Sequence, residues 1–133
     1  MVYHNDMDPK IFRAYDIRGR YPEELNEKIV EEIAPALIKL FAKKKIVLGR
    51  DVRLSSPKLY QTLVKRLSGK NNIEIIKGGI MTTPMLYFLT VFLKAGGGIM
   101  VTASHNPKNY NGLKIVGSVA TPISGAEIFK LLK

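Results

Sequence analysis

GGGIMVTASHNPKNYNGLKIVG, residues 96 to 117, decides the fold and locates its site. The opening GGGIMVTA is apolar and β-branched behind glycines, which predicts a buried strand over 98 to 103 that delivers its last residues to a loop. The loop runs from 104 to 112, and LKIVG at 113 to 117 predicts a further short strand. So short a gap between two strands points to a hairpin-like antiparallel edge. Ser104 then stands at the carboxyl end of a strand, the rim where open α/β sheets bind ligands.

Upstream of this hairpin, helices and strands alternate. Leu25, Ile29, Ile33, Leu37 and Leu40 recur at helical spacing, predicting an amphipathic helix from about Pro22 to Lys43. Its acidic start (Glu23, Glu24, Glu27) and basic end (Lys43, Lys44, Lys45) complement the helix dipole, and Pro35 is expected to kink or split it. KIVLG at 45 to 49 predicts a strand. Ser56 and Pro57 then cap and open a second helix, with Leu59, Leu63 and Leu67 on one face and Gly69 as its stop. IEIIKGG at 73 to 79 is the next strand, Thr83 and Pro84 repeat the cap before a third helix that ends at glycines 96 to 98, and Ser124 caps a last helix. Strands separated by helices pair in parallel through right-handed crossovers. The expected fold is α/β, with a mixed, mainly parallel four-stranded sheet and an antiparallel edge strand.

The third helix contains MLYFLTVFL, residues 85 to 93, apolar on nearly every face. That run is far short of the roughly 20 residues needed to cross a bilayer, so it is read as a buried helix. A helix greasy all round must be covered on all sides, and in so small a domain part of that cover is expected from outside the chain.

At 133 residues the chain has length for one compact domain. It is 46% hydrophobic and 24% charged, which excludes a wholly disordered or collagen-like chain. The absence of cysteine removes disulfides, thiolate metal sites and cysteine nucleophiles, and fits a reducing cytoplasm. The opening MVYHNDMDPK is polar and mixed, unlike an export leader. The net charge of +10 is uneven: beyond residue 51 the only acids are Glu74 and Glu127. A field of that sign draws anions such as phosphorylated metabolites or an acidic surface, and a lysine-rich solvated exterior is the plainer alternative.

As a hydrolase nucleophile Ser104 would need a base and, in this fold class, a G-x-S-x-G turn. Its flanks are instead Thr102 and Asn106, and in an extended chain the adjacent His105 points to the other face. A phosphate site fits better. A phosphorylated serine carries about two negative charges and three acceptor oxygens, and His105, Asn106, Lys114 and the loop amides are donors for them. Pro107 stiffens the loop, and Gly112 is expected to let it turn tightly.

TASHNPKNYNGLKIVG at 102 to 117, FRAYDIRG at 12 to 19 and GRDVRLSSP at 49 to 57 together resemble the first domain of the α-D-phosphohexomutases, in the phosphomannomutase/phosphoglucomutase branch. The resemblance covers essentially the whole chain, with the motifs in the family's order. It implies a three-layer α/β/α domain over 1–133 whose Ser104 carries a phosphoryl group, passes it to a mannose or glucose 1- or 6-phosphate and recovers the other phosphate from the bisphosphorylated sugar. By motif, Ser104 is the carrier with His105 and Asn106 beside it. Lys114 and Arg18 steady the phosphate or move a proton, Tyr15 lies nearby, and Arg50 with Asp51 forms a structural ion pair that ties a loop down. The resemblance also implies Mg²⁺, bound here through the Ser104 phosphate with its other ligands in a domain this chain lacks, and hexose 1,6-bisphosphate as activator. Three further domains belong to that pattern, so the chain reads as an isolated first domain, inactive or nearly so alone. Other classes remain open at this level: a basic module for nucleic acid or a polyanion, for which the lysines lack interleaved aromatics, and a regulatory domain that keeps the fold without turnover.

Overall fold

The structure, a computed structural model, describes residues 7–133, so most of the polar opening discussed above lies outside the described residues. A sheet of six strands forms the middle layer, with β1 (Ile17–Arg20), β2 (Lys45–Arg50), β3 (Glu74–Ile80), β4 (Gly97–Val101), β5 (Tyr110–Gly117) and β6 (Pro122–Ile123). Its order is β1-β5-β4-β2-β3, with β6 also paired to β5. β2 lies parallel to β3 and β4, whereas β5 is antiparallel to β4, β1 and β6.

Two expectations need correction here. The sheet has six strands rather than four, and β5 is an interior strand rather than the edge. IRGR, the sequence of β1, carries two arginines and a glycine and has no strand pattern of its own; pairing with β5 makes it a strand. β6 has two residues, too few for any period to show.

Helices α1 (Glu27–Leu40), α2 (Ser56–Leu67), α3 (Thr83–Phe92) and α4 (Gly125–Leu131) fill the outer layers. α1, α2 and α4 bury Ile33, Leu37, Leu59, Leu63 and Ile128 against Ile46, Leu48, Ile99, Leu113 and Ile115 on one face of the sheet. On the other face α3 packs together with the short 3-10 turn Ser118–Ala120, setting Leu86 over Val47, Met100 and Val116. This is the three-layer α/β/α arrangement.

The caps of α2, α3 and α4 lie within a residue of expectation, whereas α1 starts later than expected. Asn26 rather than Pro22 begins α1, its side chain accepting from the Ile29 amide, and the helix runs unbroken through Pro35. Ser55 occupies the N-cap position of α2 and Thr82 that of α3, each one residue earlier than Ser56 and Thr83. Ser124 and Glu127 form a reciprocal capping box on α4.

α3 is not buried by this chain. Leu86 and Thr90 are its buried residues, while Met85, Phe88, Val91 and Phe92 are all more than half exposed. No helix among the described residues is long and apolar enough to cross a membrane.

Candidate active site

The parallel strands end together: Arg50 of β2 pairs with Ile80 of β3 and Val101 of β4. Their carboxyl ends, the start of α3 and the loop after β4 enclose a cleft of about 1190 Å³. Thr102, Ser104, His105, Asn106, Lys108 and Lys114 line its polar side, and Met81, Met85 and Met100 its apolar side.

Ser104 is exposed in this cleft, while Thr102 and Ala103 before it are buried. The chain is not extended at this point. Ser104 has a φ of 55°, in the left-handed region, and Asn106 donates its amide to the Ala103 carbonyl to close a turn. The Ser104 amide donates to Thr102 Oγ1 at 3.0 Å. The expectation that His105 must face away from Ser104 therefore fails, because alternation belongs to extended backbone; both residues line the cleft. A non-glycine residue in the left-handed region costs on the order of 1 kcal/mol, which the surrounding loop contacts must offset.

Arg18 and Lys114 reach the same edge from neighbouring strands. Arg18 pairs in register with Gly112, one step beyond Ile17 and Leu113, and Lys114 pairs with Met100. Strand alternation puts Asp16, Arg18 and Lys114 on the α3 side of the sheet. The guanidinium of Arg18 donates to the side chains of Asn106 and Asp16, and Lys114 Nζ lies 4.0 Å from the same Asp16 oxygen. Asp16 is only 5% exposed, so two cations share one buried carboxylate and the cluster keeps a net positive charge toward the cleft. Tyr87 of α3 has its hydroxyl pushed above the ordinary tyrosine value, first by burial and next by the Asp16 charge.

Gly112 does not make a turn. It lies within β5, and a Cβ there would collide with the Ile17 carbonyl oxygen and stand 3.1 Å from the Thr102 oxygen. Close approach of three strand backbones requires the glycine.

The ion pair assigned to Arg50 and Asp51 belongs to other partners. Neighbours at a strand end diverge, and among the described residues the Arg50 side chain donates to the Asp51 backbone carbonyl rather than to its carboxylate. The Asp51 carboxylate accepts from Arg53 Nε at 3.2 Å, from the Arg53 amide and from Ser56 Oγ. Sequence reasoning missed Arg53 and Asp16. Arg53 stands in the quoted GRDVRLSSP, but besides the nearby Asp51 its partners are backbone carbonyls more than 50 residues away.

Of the residues named from sequence, the structure brings Ser104, His105, Asn106 and Lys114 to one cleft and links Arg18 to it through Asn106. Tyr15 is 77% exposed and outside the cleft lining. Among the described residues no group of three His, Cys, Asp or Glu side chains could hold a metal ion, and the two carboxylates near the loop, Asp16 and Asp51, are bound to cations. The side chains of the described residues therefore do not make up a Mg²⁺ shell of several oxygens.

Comparison with known proteins gives a consistent picture. The family model described as phosphoglucomutase/phosphomannomutase, alpha/beta/alpha domain I, matches residues 9–133. A protein from Xanthomonas campestris pv. campestris (strain B100) named "Phosphohexose mutases" is 51% identical over 115 residues, 85% of this chain and 25% of its own. A phosphomannomutase from Klebsiella pneumoniae is 47% identical over 114 residues, 86% of this chain and 72% of that one. The crystal structure of a phosphoglucomutase/phosphomannomutase family protein from Burkholderia thailandensis superposes with a TM-score of 0.80 at 32% identity, over 94% of this chain and 29% of that chain. The chain thus spans about a quarter of the length of the Xanthomonas relative.

Proposed function

Because the chain belongs to the phosphoglucomutase/phosphomannomutase family, as its α/β/α domain I, we propose that it is the phosphoserine domain of a hexose-phosphate mutase, with Ser104 as the phosphoryl carrier. The observation that carries this is the placement of Ser104: exposed at the carboxyl end of β4, in a cleft it shares with His105, Asn106 and Lys114.

In the forward step a hydroxyl of a mannose or glucose phosphate attacks the phosphorus on Ser104. A new P–O bond to the sugar forms, the bond to Ser104 Oγ breaks, and the sugar becomes bisphosphorylated. The hydroxyl proton passes to a neighbouring base. The imidazole of His105, which lines the cleft beside Ser104, can take it up and return it, while Lys114 and Arg18 stay cationic against the transferring phosphate. Arg18 holds charge: it orients Asn106 beside the serine and balances the phosphate. After the sugar turns, Ser104 Oγ attacks the other phosphate and the carrier is restored. Phosphoryl transfer of this kind is mostly positioning and electrostatics, which suits a cleft with two cations on one buried carboxylate.

Mg²⁺ would meet this chain at an oxygen of the Ser104 phosphate, and its remaining ligands would come from another polypeptide segment. The steps carried by this chain are those of its serine and its cations. The open apolar face of α3 supports an incomplete enzyme, since a lone domain gains nothing from leaving Phe88 and Phe92 in water. A chain without cysteine suits the cytoplasm proposed for it.

Intact-mass spectrometry tests the proposal. The chain is incubated with hexose 1,6-bisphosphate, Mg²⁺ and the remaining domains of a family member supplied as a separate polypeptide. A gain of a single phosphoryl group, abolished in Ser104→Ala, is expected. No gain in the reassembled enzyme, or a gain that persists in Ser104→Ala, defeats the proposal.

A further inference from the structure

Arg53 is 14% exposed and spends every donor it has. An arginine carries five N–H donors. Here Nε donates to Asp51 Oδ2 at 3.2 Å, Nη1 to the carbonyls of Pro107 at 2.7 Å and Tyr110 at 3.1 Å, and Nη2 to those of Ser104 at 3.0 Å and Asn106 at 2.8 Å. Four carbonyls of the loop that bears Ser104 thus converge on one guanidinium anchored at the end of β2.

We propose that Arg53 is a positioning residue for phosphate at Ser104: by turning the loop carbonyls inward, it aims the amides of His105 and Lys108 into the cleft. The geometry follows from the planar trans peptide, in which C=O and the next N–H point in opposite directions. With the Ser104 and Pro107 oxygens on Arg53, the His105 and Lys108 N–H groups face away from it. Both of these residues line the cleft, in which Arg53 and Asp51 form part of the wall, and among the described residues neither amide has an acceptor. The peptide after Asn106 precedes Pro107 and has no N–H to offer. His105 and Lys108 are not successive, since the Asn106 amide between them is spent on the Ala103 carbonyl, but two backbone amides aimed at one anion bind it without using any side-chain charge. Asp51 completes the arrangement, since it fixes the guanidinium and, through Ser56 Oγ, the start of α2.

Lysine cannot substitute. It keeps the charge but has three donors on a point-like head, too few for four carbonyls and a carboxylate in fixed directions. A role that was only electrostatic would survive Arg53→Lys, whereas a role in aiming peptides would not.

The inference rests on Ser104 as phosphoryl carrier, but its test does not need phosphoryl transfer. The 133-residue chain, ¹⁵N-labelled, is titrated with inorganic phosphate and the amide shifts followed in wild type, Arg53→Lys and Arg53→Met. Wild type is expected to show saturable shifts at His105 and Lys108. Both variants should weaken phosphate about tenfold or more, as expected on losing hydrogen bonds to a charged group, while core amides of β2 and β4 stay protected. Wild-type phosphate affinity in Arg53→Lys overturns the inference, as do wild-type shifts confined to lysine side chains. Should Arg53→Met fail to fold, Arg53→Lys alone decides. Failure of mass gain at Ser104 with these amide shifts intact would sink the carrier role and leave the cradle standing.

Discussion

Gly112 shows how little room there is where β1, β4 and β5 meet. A Cβ at this position would overlap the Ile17 carbonyl oxygen and press within 3.1 Å of the Thr102 oxygen and 3.2 Å of Arg18 Cα. All three are backbone, so none can step aside without breaking the register that sets Arg18 beside the loop. Gly112→Ala is expected to destabilise the chain by about 3 kcal/mol, the upper end for overpacking. Urea unfolding reads this as a lower midpoint at unchanged slope, and an unchanged midpoint refutes it. The residues legible in sequence were those whose identity is itself a signal. Ser104, His105 and Asn106 precede a proline, and Lys114 follows a glycine at short range. Arg53 and Asp16 were not legible as site residues, because each needs a partner distant in sequence: main-chain oxygens of the Ser104 loop for the first, and for the second Lys114 on another strand, which joins the nearby Arg18.

Whole elements were read well where they carry periodicity and poorly where pairing alone makes them. The helices announce themselves through apolar spacing and caps, and their starts differ by a residue where Ser-Ser and Thr-Thr offer a choice of cap. α1 is the exception, because residues 22 to 25 share its apolar pattern but form the turn that joins it to β1. That junction is tied by Tyr21, whose hydroxyl donates to Glu27 Oε1 at 2.6 Å in the first turn of α1. The bond to a carboxylate, then burial, then the carboxylate's charge push the Tyr21 hydroxyl from 10.0 up to about 12. Between these values the folded chain keeps a proton that the unfolded chain has released. The Tyr21 contribution is therefore whole below about pH 10 and is lost as pH rises toward 12. Melting temperature against pH should fall more steeply in this window for wild type than for Tyr21→Phe. Parallel curves would show that the hydroxyl adds no linkage.

For the molecule as a whole, two features oppose each other. A net charge of +10 repels a second copy, while the open face of α3 attracts one. Phe88 and Phe92 stack with ring centroids 5.4 Å apart and are 61% and 67% exposed. Covering four such rings across a pair of copies is worth about 4–8 kcal/mol at roughly 1–2 kcal/mol each. Association itself costs about 4–15 kcal/mol, so the balance favours contact only at high concentration. Charge repulsion is screened over about 8 Å at physiological salt and over about 3 Å at 1 M. Added salt should therefore strengthen self-association, the reverse of what an ion-paired interface would do. Sedimentation velocity on a concentration series is expected to show reversible self-association that grows with NaCl and disappears in the double variant Phe88→Glu, Phe92→Glu. The melting temperature of that variant should stay close to wild type, because neither ring belongs to the core. A wild-type chain that stays monomeric at high concentration and high salt, or a double variant that still associates, would mean that α3 is not the adhesive face.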